Sequence, residues 1–445
     1  MSPTHALTIA QVAVRLRQGL RSRALVEEAL ELIDTGGGAY VSVAAARARA
    51  DAADSDRRLA AGAPRSLLEG VPVSVKDLFD VEGEVTAAGA LALRGAPAAR
   101  ADAAAVAALR RAGAVVLGRT HMSAFAFTAL GANPHLPPCP NPHDAARVPG
   151  GSSSGAAVSV ALGQAFMGLG SDTGGSVRIP ASFCGIVGFK PTQWRVPREG
   201  AFVLSPTQDS IGPLARSVEC CAIVDAILAD RPDAALPVPP LAGLRLALPR
   251  EVMMDGLDAH VAARFDHALG QLRRAGVEIT QVSFPHFSEA PELFSKGTLV
   301  NAEAFRHHRA LGLLERREAY DPIILARIDM GGQMAEDDVG RIMRARQRMM
   351  AETSRLAAGH DAIVLPTTPN VAPRFADIAD AAGFNRENGR ALRNTSLFNF
   401  LDRCAISLPV DADGGLPVGL MLVGATMEDR RLLAVAQAVE GGLAG

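Results

Sequence analysis

The pentapeptide LRRAG occurs twice, at 109–113 and 272–276, and each copy separates a helical pattern from a strand pattern. DAAAVAALRRAG (102–113) reads as a helix closed by Gly113, with the strand AVVLG behind it; the second copy leads into VEITQV. Helix, glycine and strand in that order, used twice, constrain the chain to an α/β architecture with a largely parallel or mixed sheet. These are two uses of one local unit, not a domain repeat. With 48% apolar and 21% charged residues the chain can build a sizeable core, and at 4% aromatic that core is mostly Ala, Leu and Val.

The same reading extends along the chain. Residues 8–33 form two short helices with Thr8 and Ser22 as caps, and 43–61 a third. VPVSV (71–75) is a buried strand ending at Lys76 and Asp77. AAVSVALG (156–163) is helical, QAFMGLG (164–170) a strand and SDTGGS (171–176) a tight turn. Helices fill about 299–358; DAIVLP (361–366) and LPVGLMLVG (416–424) are strands before a closing helix. RPDAALPVPPLAG (231–243) is a proline-rich connector. We read 1–445 as one domain, with a core at 70–220 and a half at 244–445 that completes the sheet and the pocket.

Charge and cysteine usage exclude several functions. A net charge of −2 without a basic stripe argues against nucleic acid as a ligand. Five cysteines without a C-x-x-C spacing fit a reduced, metal-free, cytoplasmic protein. The N-terminus lacks the layout of a signal peptide, and no run reaches the roughly 18 apolar residues of a membrane span. Of 45 basic residues only Lys76, Lys190 and Lys296 are lysines. Arginine stays charged, whereas a buried lysine can turn neutral and act as a base, although codon bias alone accounts for the scarcity.

PGGSSSG (149–155) holds a G-x-S-x-G match around Ser153. A nucleophile elbow needs a strand running into it, and NPHDAARVPGG is turn material throughout, so Ser153 is not the attacking group. About ten helical residues rise roughly 15 Å and six strand residues return roughly 20 Å, which brings the 172–176 turn back beside Ser152. Lys76, past the carboxyl end of its strand, lies at the rim where open α/β sheets bind ligands. Two glycines before Ser176 leave backbone N–H groups free to converge on an oxyanion. Asp172-Thr173-Gly174 matches an aspartic-protease triplet, but no second D-[ST]-G occurs.

The run VPGGSSSGAAVSVALGQAFMGLGSDTGGSVRIPASFCGIVGFKPT (148–192) resembles the signature of the amidase signature family of serine hydrolases. GVPVSVKDLFDVEG (70–83), RVPREGAFVLSPTQDSIGPLARSV (195–218), LPTTPNVAP and LPVGLMLVG are similar to further segments of that family, in its order. The resemblance implies a mixed sheet flanked by helices on both faces and a Ser–cis-Ser–Lys triad. That triad falls on Ser176 as nucleophile, Ser152 (after a cis peptide bond from Gly151) as bridging hydroxyl, and Lys76 as base. It also implies an oxyanion hole of the Thr173, Gly174, Gly175 and Ser176 N–H groups, with Gly151, Ser153 and an Asp172–Arg178 pair in support.

The implied activity is hydrolysis of a small-molecule amide by a free-standing enzyme, without metal or cofactor, as a monomer or a homodimer. The alternatives are the A subunit of glutamyl-tRNA amidotransferase, acting as a glutaminase, and an esterase or carbamate hydrolase on the same triad. Two departures bear on glutamine: Ala124 in THMSAFAF where a glutamate is common, and NFLDRCAISLPV (399–410) in place of an N-x-x-G-x-P-A style segment. The acyl pocket is expected from 120–140, the helices near 300–350 and 366–375, with aliphatic walls.

Overall fold

In a computed structural model, the structure describes residues 6–231, 236–410 and 413–443. Its centre is one eleven-stranded mixed sheet. The strands are β1 (Tyr40–Val43), β2 (Pro72–Lys76), β3 (Val115–Thr120), β4 (Met167–Asp172), β5 (Val187–Lys190), β6 (Ser210–Ala215), β7 (Arg245–Pro249), β8 (Glu278–Val282), β9 (Ala362–Pro366), β10 (Ala405–Val410) and β11 (Val418–Val423). Their order is β1-β3-β2-β4-β6-β5-β10-β11-β9-β7-β8. β2 pairs parallel with β3 and β4, and β7 with β8 and β9; the other pairs are antiparallel. Strands from both sides of the proline-rich connector therefore share one sheet. Residues 232–235 of that connector lie outside the described residues.

Side chains alternate across a strand, so a sheet covered on both faces feeds two cores. Leu420 and Leu422 of β11 join the cluster that also takes Ala362 and Val364 of β9. Their neighbours Met421, Val423, Ile363 and Leu365 join another, with Phe284, Phe287 and Phe398. This is why the central strands read as continuous apolar runs rather than as an alternating pattern.

Both LRRAG copies act as read. The helices Ala104–Arg111 and Ala259–Arg274 each end before a glycine of positive φ, Gly113 (98°) and Gly276 (89°), and the chain then enters β3 and β8. Thr8 caps its helix with a complete capping box. Ser22 is instead the first residue of its helix, after Arg21, and its hydroxyl donates to the Gly70 carbonyl at 2.8 Å. β4 starts later than 164 and runs through Ser171 and Asp172, so part of the expected tight turn is strand. Pairing of Ser171 with Ile211 and of Asp172 with Ser210 extends it.

Candidate active site

β2 and β4 run side by side in the same direction, which puts their carboxyl ends, Lys76 on one and Ser171-Asp172 on the other, at one rim. Between them in sequence, the helix Ser154–Ala161 packs on β2, β3, β4 and β6 and carries the triple serine at its N-terminal edge. Ser153 N–H donates to the Ser176 carbonyl at 3.2 Å, which ties the PGGSSSG loop to the DTGGS turn. The Gly151–Ser152 peptide bond is cis. Gly151 donates its N–H to the Ala129 carbonyl at 2.7 Å, and a Cβ there would lie 2.6 Å from the Gly131 nitrogen, so only glycine fits.

Lys76 is fully buried, and its Nζ donates to Ser152 Oγ and to Ser171 Oγ, each at 2.8 Å. Burial pushes its pKa down from the ordinary ammonium value to about 7, against the opposite pull of Asp172 and Asp209. A lysine in this state is substantially neutral near physiological pH. The hydroxyl of Ser153 is also buried and donates to the Ser171 carbonyl (3.2 Å); it holds the loop.

Asp172 is surrounded by donors. Arg178 reaches it through Nη2 (2.9 Å) and Nε (3.0 Å), Asn399 Nδ2 at 2.8 Å, and the N–H groups of Gly175 (2.8 Å) and Val177 (3.1 Å). Burial alone would raise this carboxyl, but the Arg178 guanidinium and these donors hold it well below the usual carboxylate range. Arg178 is itself fully buried and also donates to Asn399 Oδ1 at 2.6 Å. The pair braces the turn as the sequence suggests. It also corrects one expectation: the Gly175 N–H is turned onto Asp172, inside the brace, rather than toward an oxyanion. Gly175 has φ 134°, and a Cβ there would run into the Thr395 hydroxyl. Among the described residues the N–H groups of Gly174 and Ser176 meet no protein acceptor.

Two cavities flank this rim. The first, about 170 Å³, is bordered by Ser176, Gly174 and Thr173, with Phe127, Phe294 and Phe400 on its walls. The second, about 600 Å³, is bordered by Ser171, Thr173 and Asp209 and by the 194–206 segment. Segments 126–128 and 294–301 border the first cavity, in line with the stretches expected there, but 366–375 does not; Leu392, Ser396 and Phe400 of the helix Ala381–Phe400 stand there instead. Its apolar walls are Leu204, Leu299, Val300 and Leu392, joined by three of the sixteen phenylalanines that converge on this one place.

Sequence reasoning missed four contributors. Asn399 begins the segment read as a departure, and it is the residue that grips both Asp172 and Arg178. Where the N-x-x-G pattern has glycine stands Asp402, with φ 49°; aspartate tolerates this conformation better than most residues, and its carboxylate accepts from Gln193 N–H at 3.0 Å. Ser171 carried no signal beyond being a serine beside the turn. Asp209 accepts the Thr173 hydroxyl (2.6 Å) and the Leu204 and Ser205 N–H groups, and burial raises its pKa to about 6. Arg327 is one arginine among forty-two by sequence; only packing shows that it borders the first cavity. It donates to the Phe127 carbonyl at 2.8 Å and lies over that ring, and among the described residues it meets no carboxylate. Burial lowers its pKa to about 10.

The remaining candidates fall elsewhere. Lys190 is buried with its Nζ on the Pro191 carbonyl (2.7 Å), and Lys296 is exposed and paired with Asp338. Cys184 is packed in the core. His308 is buried against Tyr320, while His307 reaches the edge of the second cavity.

The chain has many relatives among known proteins and solved structures. The Amidase family profile matches residues 24–433. The chain is 37% identical to 2-amino-5-chloromuconic acid deaminase of Comamonas testosteroni, over 99% of this chain and 96% of that protein. It is also 37% identical to the A subunit of glutamyl-tRNA(Gln) amidotransferase of Anaeromyxobacter dehalogenans, over 95% and 93%. A crystal structure of an amidase superposes with a TM-score of 0.90 at 34% identity, covering 98% of this chain and all of that one. The chain belongs to the amidase signature family, hydrolases that act on C–N bonds. No helix among the described residues is long and apolar enough to cross a membrane, and no group of three or more His, Cys, Asp and Glu among them could hold a metal ion.

Proposed function

We propose that this amidase cleaves small carboxylic amides through an acyl-enzyme on Ser176, with Ser152 as bridging hydroxyl and Lys76 as base. The observation that carries the reading is the fully buried Lys76 hydrogen-bonded to Ser152 at 2.8 Å, with a pKa lowered to about 7. Neutral Lys76 takes the Ser152 proton while Ser152 takes that of Ser176, whose oxygen attacks the amide carbonyl. The oxyanion is met by N–H groups of the turn; with Gly175 committed to Asp172, the donors are Thr173, Gly174 and Ser176. One such donor is worth roughly 3–4 kcal/mol of barrier. Ser152 then protonates the leaving nitrogen, Lys76 restores the Ser152 proton, and water cleaves the ester by the same steps.

Arg327 sharpens the substrate class. A guanidinium on the wall of the cavity that holds Ser176, with no carboxylate partner among the described residues, favours an acyl group bearing a distal carboxylate. The deaminase relative, by its name, acts on an acid. The resemblance to the A subunit of the amidotransferase supports glutamine as a second reading, since glutamine also carries a carboxylate. We read the chain as a single domain that acts without partner subunits. Its cysteines are free and buried, in keeping with a reducing cytosol.

Purified protein is tested on a panel of monoamides with and without a second carboxylate, with glutamine, esters and carbamates beside them. Fluorophosphonate labelling is expected in the wild type and absent in Ser176→Ala; labelling that survives the substitution refutes the assigned nucleophile. Arg327→Met is expected to raise KM for carboxylate-bearing amides by about tenfold or more, a charge-assisted hydrogen bond being worth about 1.5–3 kcal/mol, and to spare neutral amides.

A further inference from the structure

The Lys76 nitrogen has two hydroxyl partners, and acyl transfer through Ser152 uses one of them. Ser171 Oγ stands as close as Ser152 Oγ, 2.8 Å in each case. Lys76 and Ser152 have no exposed surface, whereas Ser171 keeps 7% of its own. Ser171 borders the 600 Å³ cavity and Ser176 does not; Ser176 borders the 170 Å³ cavity and Ser171 does not. Ser152 borders neither cavity, so of the two hydroxyls on the lysine only Ser171 reaches a cavity.

We propose that Ser171 is the positioning residue and proton outlet of Lys76, joining the base to the solvent of the second cavity. This rests on the reading of Lys76 as the base. A neutral amine has two N–H groups and one lone pair. Ser171 Oγ accepts one N–H, which turns the lone pair toward the Ser152 hydroxyl. After proton uptake, the ammonium ion donates to both oxygens. In the resting enzyme, where Nζ has taken its proton from solvent rather than from Ser176, Ser171 Oγ takes a proton from Nζ while its own hydroxyl proton passes to a water in the cavity, leaving a neutral amine, an intact serine and a hydronium ion. Ser171 is well held for this task. It pairs with Ile211 in the sheet, and its carbonyl accepts the Ser153 hydroxyl.

The charged surroundings are defined on both sides. Asp172 and Asp209 act on Lys76 through their charge, without touching it. Asp77, next to it in sequence, is held by Arg119 at 2.7 Å. Arg195, Arg198, Glu199, Asp209, Asp230 and His307 border the second cavity; Arg195 is bound to Asp225, and Arg198 stacks on Trp194 at 4.2 Å.

The test uses the inactivation rate of the full chain by an alkyl fluorophosphonate between pH 5 and 9, in Ser171→Thr and Ser171→Val. These replacements differ by a hydroxyl against a methyl. Ser171→Ala, which needs no added space, is run beside them in case valine impairs folding. The Thr variant is expected within about threefold of the wild type. Val and Ala are expected to be slower by about tenfold or more, part of the 10²–10⁴ that a placed base supplies. Their acid limb is also expected to move to lower pH, because the ammonium form has lost an acceptor. If Val and Ala keep the rate and limb of Thr, or if folded Thr is as slow as they are, the proposal is overturned. A wild type that does not label, or a Ser176→Ala that does, refutes the triad reading instead.

Discussion

Lys76 closes β2 and Asp172 closes β4, one strand away and in the same direction, yet the two buried groups are surrounded in opposite ways. Asp172 is saturated: a bidentate arginine, an asparagine amide and three backbone N–H groups stabilise its charge. Lys76 has two neutral hydroxyls, and its nearest carboxylates act only at a distance. Burial is common to both, so burial alone does not decide protonation. The carboxylate is locked into one state to hold a turn, and the amine is left with its two states close in free energy. A group that moves protons needs the second arrangement.

The largest effect that sharpens this contrast comes from the lysine. Lys76→Arg and Lys76→Met are expected to cut turnover by roughly 10³ or more while the protein stays folded, since neither side chain can accept a proton. Stability should show the opposite sign. With a folded-state pKa near 7 against an unfolded value of 10.5, the unfolded chain binds more protons between these values, so wild-type stability rises with pH across this window. The contribution is about 1.4 kcal/mol per pH unit for one group. Urea unfolding of Lys76→Met should lack that rise, and the advantage of the variant should be greatest at pH 7 and below.

Breaking the locked partner comes next in size. Asp172→Asn leaves Arg178 buried without its counter-charge, and a loss of about 3–5 kcal/mol in folding stability is expected by urea unfolding. Lys190→Met should be mild. Its single carbonyl contact and desolvation-lowered pKa make a similar-sized apolar replacement cost about 1 kcal/mol or less, with activity retained. Asp209→Asn is the smallest change. Removing a carboxylate that holds the Lys76 pKa up should shift the acid limb of the pH–rate profile slightly downward, without loss of the maximum rate.

Much of this arrangement was legible in the sequence because it rests on local rules. LRRAG twice announced helix, left-handed glycine and strand. VPVSVK placed a lysine at a strand end, and the turn chemistry before PGGSSSG ruled Ser153 out. What escaped depends on contacts far apart in sequence. Asn399 reaches Asp172 across 227 positions, and it lay in a segment whose departure from pattern drew attention away from its first residue. Ser171 was grouped with the turn because nothing local separates the last strand residue from the first turn residue; pairing with β6 does. Phenylalanines are few, yet Phe127, Phe294 and Phe400 meet at one cavity, which composition cannot reveal.

Because the chain holds only three lysines, the ionisation of each can be followed separately. Lysine-selective ¹⁵N labelling, with Lys76→Arg and Lys190→Met to assign the signals, would record the Lys76 Nζ resonance from pH 5 to 10. A transition to the neutral amine with its midpoint about pH 7 is the predicted result. An ammonium signal that persists unchanged through pH 9 would contradict the account.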